Sequence, residues 1–280
     1  MSFVSVSVIM PARNAESTLE RAIKSTLKAL DRHDELLVGL HKSEDSTSRV
    51  VDLFSDSRVR VFRYESGKFS DVLNDLVRRS NPDFEFIARM DADDVCLPWR
   101  FWLQKRLATK VSGAFLFSSA LISFPLGSTR VTVPQYPFSL SSNEINQLLI
   151  SGNPLNHPTF FGPKKAFHEL GGYKAVAGED LDLWLRASLK GVRLYRSRLP
   201  LIIYRISATQ LSKSDDYISG WSTSDEIREM RSALEEKIRL TSAQLNAWSR
   251  MKIFLQDMGF PSPLRILAKV RARKLNKKRA

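Results

Sequence analysis

Two groups of acidic residues have the types and spacing of a metal-binding or catalytic site. The first group follows an apolar segment that is predicted to be a strand. Asp91, Asp93 and Asp94 come directly after residues 86–90, an apolar segment with the composition of a strand. Three carboxylates at one strand end repel one another, and a divalent cation would relieve that repulsion. Oxygen ligands suit Mg²⁺ or Mn²⁺. The spacing indicates a metal site at Asp91 and Asp93, but a solvated turn in which Asp94 caps the next helix explains the same residues.

The second acidic group is the pair Glu179 and Asp180. It opens a segment with helical periodicity that stops at Gly191. A carboxylate at a helix N-terminus is stabilised as its anion by the helix dipole. An ionised aspartate can accept the proton of a hydroxyl group while that oxygen forms a new bond. From the residues alone, Asp180 is therefore either a general base or only a helix cap.

Strands and helices alternate through the first half of the chain, and these elements must position the first acidic group. Each predicted strand is followed by apolar residues at helical spacing. The alternation predicts an α/β fold with a mostly parallel sheet flanked by helices. Ligands of such sheets bind beyond the carboxyl ends of the strands, where Asp91 would lie. The predicted strands are residues 3–9, 35–40, 58–64 and 84–90.

The second half is more mixed and ends in a purely helical region. Glycine, proline and serine interrupt residues 111–129 too often for a membrane span, so this segment predicts two buried strands around a turn. Two further strands are predicted near residues 192–195 and 201–206. After about residue 220 the pattern is helical. We therefore expect one domain at residues 1–219 and a helical C-terminal extension at residues 220–280.

Composition narrows the classes of protein to consider. The 280 residues are 43% hydrophobic and 10% aromatic, which is enough for a substantial core. The single cysteine, Cys96, excludes a disulfide framework within the chain and favours a reducing, cytoplasmic location. The sequence has no glycine-rich phosphate loop. Trp102 and Trp184 are expected to lie in the core, and Cys96 is expected to be a small buried or half-buried residue.

Most of the net charge of +13 lies at the C-terminus. Eight basic residues and no acidic residue fall within residues 264–280, together with Leu264, Leu267, Val270 and Leu275. This segment could lie as a helix on an anionic membrane surface, or it could be a solvated charged end. It could also bind phosphate backbones, which makes a nucleic-acid-binding protein the rival interpretation. The rest of the sequence shows no nucleic-acid-binding module, so we expect no specific nucleic-acid partner.

Four segments, in order along residues 4–212, resemble the motifs of family 2 glycosyltransferases, whose fold is the Rossmann-like GT-A fold. Asp91-Ala92-Asp93 looks like the DxD motif of that family, and Glu179-Asp180 looks like its ED motif. Each motif is weak by itself, whereas four with matching order and spacing are specific. The four segments are residues 6–16, residues 66–67 with Asn74, residues 88–100 and residues 170–186.

The resemblance implies a metal-dependent, inverting enzyme that transfers a sugar from a nucleotide-sugar donor to a hydroxyl of a glycan or lipid-linked glycan. Asp93 and Asp91 would bind Mn²⁺ or Mg²⁺, and Asp91 would also contact the donor ribose. Asp180 would be the general base. The other implied positions are Pro11, Ala12, Arg13, Asn14 and Lys68 on the donor side, and Asp94, His157 and Glu179 on the acceptor side.

Two positions depart from the family pattern. Leu40 and His41 stand where the family usually has paired aspartates, one of which reads the base. His41 would then have to accept a hydrogen bond from the base, or the donor would carry a different nucleotide. Ser207 stands where relatives often have a histidine. These departures leave a catalytically degenerate scaffold as an alternative to an active enzyme.

Overall fold

A computed structural model describes residues 4–135, 137–206, 224–241 and 245–257. The strands are β1 Val6–Ala12, β2 Glu35–His41, β3 Val59–Tyr64, β4 Phe86–Arg89, β5 Val95–Cys96, β6 Phe115–Leu126, β7 Thr129–Pro134, β8 Phe161–Pro163 and β9 Leu194–Arg205. The helices are α1 Leu19–Ala29, α2 Thr47–Val51, α3 Phe69–Arg79, α4 Arg100–Lys110, α5 Ser142–Ser151, α6 Lys164–Glu169, α7 Glu179–Leu189, α8 Asp225–Leu240 and α9 Ala247–Asp257, with a 3-10 turn at His157–Thr159.

Within these residues the strands form one sheet in the order β3-β2-β1-β4-β8-β6-β9-β5, with β7 beside β6. The first four strands in this order are parallel, so their carboxyl ends lie along one edge of the sheet. Every residue of β1 and β2 is buried, as expected for strands that are covered on both faces. The predicted α/β fold with helices flanking the sheet is confirmed.

The rest of the sheet is mixed, and two of its strands are longer than predicted. β8 is antiparallel to both β4 and β6, whereas β6 and β9 are parallel neighbours. Residues 111–129 contain one long strand, β6, and the turn at Gly127 comes only after it. One strand, β9, likewise covers both segments predicted near residues 192–206. The register of the β6–β9 pair shifts at two places, so local irregularities let the pairing continue past the breaks visible in the sequence.

Two apolar clusters fill the two faces of the sheet. One joins α1 and α4 to β1 and β2, and it contains the buried Cys96. The other joins α3, α5 and α7 to the opposite face. Trp184 of α7 is fully buried there, and its ring meets Phe115 and Phe117 edge to face. The core position predicted for Trp184 and the burial predicted for Cys96 are confirmed.

The prediction that Trp102 lies in the core is wrong, because α4 turns its other face inward. Trp102 is 58% exposed. The inward face carries charged groups whose partners lie elsewhere in the chain: Lys105 Nζ is 2.7 Å from Asp34 Oδ1, and Arg100 donates to the Arg89 carbonyl at 2.7 Å. Because these groups are paired, α4 can bury them. Its buried residues are Arg100, Phe101, Gln104, Lys105 and Ala108.

The helices α8 and α9 pack against the domain that precedes them. Ile227 and Leu234 of α8 are buried in the same cluster as α7. The Lys237 ammonium group caps α7 by donating to the Leu189 carbonyl at 2.9 Å. No helix of the described residues has the length and apolar character needed to cross a membrane. Ser207 and residues 264–280 lie outside the described residues.

A hydrogen-bonded turn fixes the chain just before α7. The Asn74 side chain donates to the Tyr173 carbonyl at 2.8 Å and accepts from the Tyr173 N–H at 2.9 Å. Gly172 has a φ of +67°, and a Cβ there would lie 2.6 Å from the Asn74 side-chain oxygen. Only glycine fits this position. The motif residues Asn74 and Gly172 therefore join α3 to the turn that leads into the acidic pair at 179–180.

Candidate active site

The three aspartates after β4 lie close together. Carboxylate oxygens of Asp91, Asp93 and Asp94 are all within 4.8 Å of one another. Asp94 is buried, and its Oδ1 accepts the N–H of Arg205 from β9 at 2.8 Å. Its Oδ2 has no hydrogen-bond partner among the described residues. The cluster therefore offers oxygen atoms that the described protein groups leave partly unsatisfied.

The electrostatics of the cluster favour a bound cation. Burial, and then the negative charge of Asp91, raise the pKa of Asp93 to about 6. Burial also holds the pKa of Asp94 well above its usual range. Both carboxylates are costly to ionise without a positive partner. A hard divalent ion such as Mg²⁺ or Mn²⁺ fits this set of oxygen ligands.

One buried arginine already faces the cluster. Arg89, the last residue of β4, is 3% exposed, and its Nη2 lies 2.7 Å from Asp91 Oδ1. Its guanidinium group also stands over the Phe69 ring at 5.4 Å. Nε and Nη1 of Arg89 have no hydrogen-bond partner among the described residues. Arg89 is thus a fixed positive charge with donor capacity left over.

The acidic pair lies on the same side of the molecule as the aspartate cluster. Glu179 and Asp180 begin α7, after Gly178 in a left-handed conformation with φ of 73°. Asp180 Oδ2 accepts from the Asn153 side chain at 2.8 Å. The negative charge of Asp91 is close enough to raise the pKa of both acidic residues. The structure therefore brings Asp180 within electrostatic reach of the cluster.

Burial outweighs the helix dipole in this pair. It is the main cause of a raised pKa at Asp180. At Glu179, burial and then the charge of Asp180 raise the pKa to about 8. Glu179 is therefore harder to ionise than an exposed glutamate, and Asp180 is a stronger base than an exposed aspartate. Backbone N–H groups at the start of α7 lower the pKa of both residues, as expected for a helix N-terminus, but desolvation raises the pKa by more.

His157 lies beside this pair. Its Nε2 is 2.8 Å from the Tyr173 hydroxyl, and its Nδ1 is 3.8 Å from Glu179 Oε1. Burial, and then the charge of Arg89, hold the pKa of His157 well below its ordinary value of 6.5. The imidazole is therefore neutral at physiological pH. It joins the 3-10 turn to the residues that precede α7.

The predicted donor-side residues gather at the carboxyl ends of β1 and β2. Pro11 and Ala12 end β1 and are buried, whereas Arg13 is exposed. Asn14 has a φ of 48°, and its side-chain oxygen accepts the N–H of Glu44 at 2.9 Å. Asn14 is therefore not part of α1, which begins five residues later at Leu19. It instead ties together the loops that follow the two strands.

His41 and Lys68 complete this side. His41 Nε2 is 3.2 Å from the Gly67 carbonyl, which joins the end of β2 to the turn before α3. Burial is the main cause of a lowered pKa at His41. Lys68 caps α3 through its backbone N–H, which donates to Asp71. Among the described residues, the Lys68 ammonium group has no hydrogen bond to the aspartate cluster.

Three residues that shape the site have no role predicted from the sequence. Arg89 ends an apolar strand, and nothing around it in the sequence shows that its partner is Asp91. Tyr173 and Asn153 reach His157 and Asp180 only through tertiary contacts. The sequence feature that could have predicted the role of Arg89 is its charge, because a charged residue inside a buried strand needs a partner.

Comparison with known proteins agrees with this fold. The sequence profile described as glycosyl transferase family 2 matches residues 7–163, more than half of the chain. A Rossmann-like α/β domain with acidic residues beyond its parallel strands is the architecture of a sugar-transferring enzyme of the GT-A class. The chain belongs to glycosyl transferase family 2, and the resemblance stated from its motifs is confirmed.

Two relatives match most of the chain. EpsE of Bacillus subtilis is 29% identical over 203 residues, which cover 68% of this chain and 69% of EpsE. The O-antigen biosynthesis glycosyltransferase WbnJ of Escherichia coli is 28% identical over 223 residues, which cover 75% of this chain and 82% of WbnJ.

Solved structures of S. aureus TarS share the fold. TarS 1–349 in complex with UDP-GlcNAc has a TM-score of 0.62 and 14% identity, over 89% of this chain and 70% of that chain. A longer TarS structure has a TM-score of 0.60 and 16% identity, and this chain spans 42% of its length. At this identity the likeness shows the GT-A fold and nothing finer.

We predict that Arg89→Met destabilises the protein by about 3–5 kcal/mol, because removing one partner of a buried ion pair leaves the other charge uncompensated. Urea unfolding at neutral pH would measure the free energy of unfolding. Arg79→Met is the control: Arg79 is 52% exposed and pairs with Asp75 at the surface, so its loss should destabilise the protein much less than the loss of Arg89. Equal effects of the two substitutions would show that Arg89 is not a required counter-charge.

We predict that His157 makes stability depend on pH. Since its pKa is lowered in the folded protein, the unfolded chain binds the proton first as the pH falls below 6.5. The stability that the neutral His157 contributes is complete above pH 6.5. It is lost below pH 6.5, by up to about 1.4 kcal/mol per pH unit. The free energy of unfolding, measured with urea between pH 7.5 and about pH 5, should therefore fall less steeply for His157→Gln than for the wild type. His168→Gln, at an exposed position, should keep the wild-type slope; identical slopes for all three proteins contradict the prediction.

Proposed function

We propose that this family 2 glycosyltransferase moves a sugar from a nucleotide-sugar donor to a hydroxyl of a glycan or lipid-linked glycan, with Mn²⁺ or Mg²⁺ and with inversion at the anomeric carbon. One observation carries the proposal: the carboxylate cluster at 91–94 and the acidic pair at 179–180 lie within electrostatic reach of each other. The name of the relative WbnJ, an O-antigen biosynthesis enzyme, supports a role in polysaccharide biosynthesis.

In this proposal Asp93 and Asp91 hold the cation. When bound, it would neutralise the donor diphosphate and stabilise the departing nucleoside diphosphate. Asp94, whose Oδ1 is tied to the backbone of β9, would fix the position of the other two carboxylates. Arg89 would hold the Asp91 carboxylate in place, and two of its donor nitrogens have no hydrogen-bond partner within the described ranges. Lys68 would contribute positive charge toward the diphosphate.

The donor base would lie against the turn at residues 11–14 and against His41. Because the Gly67 carbonyl can only accept, the proton of the neutral His41 ring stands on Nε2. Nδ1 is then an acceptor, and it could receive the imide N–H of uracil or thymine. The UDP-GlcNAc bound in TarS supports a uridine donor for this chain.

Asp180 would act as the general base. The acceptor hydroxyl oxygen attacks the anomeric carbon, its proton passes to Asp180, and the bond from the anomeric carbon to the diphosphate oxygen breaks. Attack opposite the leaving group inverts the anomeric configuration, by analogy with inverting sugar hydrolysis. The raised pKa of Asp180 increases its basicity, and the Asn153 amide orients its carboxylate. Glu179 and His157 would line the acceptor side.

The location and domain division form a further part of the proposal. Residues 1–219 would be the transferase domain and residues 220–280 a helical extension. We propose that the enzyme works in the cytoplasm and meets the cytoplasmic membrane face through the basic residues 264–280. This placement would serve a lipid-linked acceptor. DNA binding without donor binding would favour the nucleic-acid interpretation, and donor binding without transfer would favour a degenerate scaffold.

We predict that Asp180→Asn lowers the rate of transfer by about 10²–10⁴-fold while the donor dissociation constant changes by less than about threefold, because only proton transfer is lost. Product formation and donor titration with Mn²⁺ present would measure the two quantities. Asp52→Asn, at an exposed position, is the matched control and should change neither. A loss of donor affinity as large as the loss of rate would contradict the role of Asp180.

We predict that donor binding requires the cation and that Asp93→Asn removes this requirement together with most of the affinity. Thermal shift with UDP-sugars and GDP-sugars, each with Mn²⁺ or with a chelator, would test it. At a donor concentration of about 100 times the dissociation constant, binding adds about 2.7 kcal/mol of stability to the wild type. Wild-type donor binding that is unchanged by the chelator would contradict the metal site.

A further inference from the structure

The outer face of α4 presents tryptophan and positive charge to the solvent. Trp99, just before the helix, and Trp102 are 48% and 58% exposed. Arg106 and Lys110 follow on the same face, one helical turn apart, and both are exposed. The Arg106 guanidinium group stands over the Trp102 ring at 5.5 Å from its centroid. We call Trp99, Trp102, Arg106 and Lys110 the α4 face.

The surface of β9 next to the α4 face also carries exposed apolar and positively charged residues. A groove of about 210 Å³ lies between the two elements, and Arg106, Lys110 and Leu199 line it. Leu199 is 46% exposed. Arg193, which precedes β9, donates to the Ser112 carbonyl at 2.7 Å, so a further cation stands beside the end of α4. Exposed apolar side chains and cations thus share one surface.

The segments of the chain that form this surface contain no acidic residues. Residues 95–143 and 183–214, which contain α4, β6, β7 and β9, include no aspartate or glutamate. The acidic partners of α4, Asp31 and Asp34, bind Lys105 on its inward side. The cations of the α4 face are therefore not balanced by acidic residues in these segments. Its field attracts anions.

We infer that the α4 face, with the adjoining groove to β9, docks on an anionic phospholipid bilayer. Tryptophan has an apolar body and one polar N–H, and it prefers the boundary between water and lipid. Lysine and arginine at that boundary bind anionic headgroups. A surface that combines the two, on segments that contain no acidic residue, has the chemistry of a peripheral membrane contact. This inference holds whichever sugar is transferred, and it involves none of residues 264–280.

The position of α4 gives this contact a consequence for the active site. The helix begins at Arg100, whose guanidinium group contacts the Arg89 carbonyl at the base of the aspartate cluster. Trp99 stands five residues after Asp94 in the chain. A membrane bound to the α4 face would therefore lie near the edge of the sheet that carries the cluster. An acceptor anchored in that membrane would have only a short distance to travel.

A second copy of the chain is a poorer occupant. A two-fold dimer through this surface would place the α4 face of one copy against the same face of the other. Arg106 and Lys110 would then meet like charges, which is unfavourable without intervening anions. The anionic headgroups of a bilayer supply the opposite charge.

Tryptophan fluorescence of the full chain tests the contact at the residues themselves. Vesicles of brominated phosphatidylcholine and phosphatidylglycerol should quench the wild-type emission, and vesicles of brominated phosphatidylcholine alone should quench it far less. In the double variant Trp99→Phe/Trp102→Phe, the decrease in emission caused by the brominated vesicles should be less than about half of the wild-type decrease. The two tryptophans at the interface are then absent. Trp248→Phe, at another exposed tryptophan, should retain most of the wild-type decrease in emission. Quenching that is unchanged in the double variant would overturn the inference.

Vesicle co-sedimentation tests the charges. Arg106→Glu/Lys110→Glu should weaken binding to anionic vesicles by about tenfold or more, since two attractive charges become repulsive. The control Lys165→Glu/Arg239→Glu makes the same change in net charge at exposed positions on α6 and α8, and it should stay within about twofold of the wild type. Equal weakening by both pairs would assign membrane binding to net charge and overturn the inference. A concentration-dependent dimer that only the α4 variants dissolve, without vesicle binding, would also overturn it.

Discussion

The constraint on which this structure depends is the concentration of negative charge at the end of β4. Burial raises the pKa of Asp93, Asp94 and Asp180, so each carboxylate is costly to ionise. Arg89 pairs with Asp91 and supplies one permanent positive charge. The buried Arg100 also acts on Asp94, yet the pKa values of Asp93 and Asp94 stay raised, so the carboxylates favour a further cation. This imbalance of charge is the physical basis of the proposed divalent-cation site.

The sheet topology brings these distant charges together. β1 to β4 run parallel, so the loops that follow them share one edge. β8 then pairs antiparallel with β4, which returns the His157 turn to that edge. The pairing of the Asn74 side chain with the backbone of Tyr173 holds the approach to α7 against α3. Residues about ninety positions apart therefore act on one another because the strand order requires it.

The sequence predicted what local pattern controls and missed what tertiary pairing controls. The parallel strands, the position of Trp184 and the clustering at 91–94 follow from periodicity and residue type. The orientation of α4 does not, because Lys105 becomes an inward residue only when Asp34 is beside it. Arg89 was missed for the same reason. The motif resemblance linked the two acidic groups, but their distance from each other is a property of the folded chain.

The departure at Leu40 and His41 is consistent with this charge balance. The edge already carries the carboxylates of the cluster and of α7, and the paired aspartates usual in the family would add to their repulsion. Arg13 and Lys42 lie near His41, and with burial they favour its neutral form by lowering its pKa. A neutral imidazole whose Nε2–H is engaged by Gly67 still offers Nδ1 as an acceptor. In the proposed donor site, His41 therefore adds less negative charge to this edge than paired aspartates would, and it keeps one acceptor for the donor base.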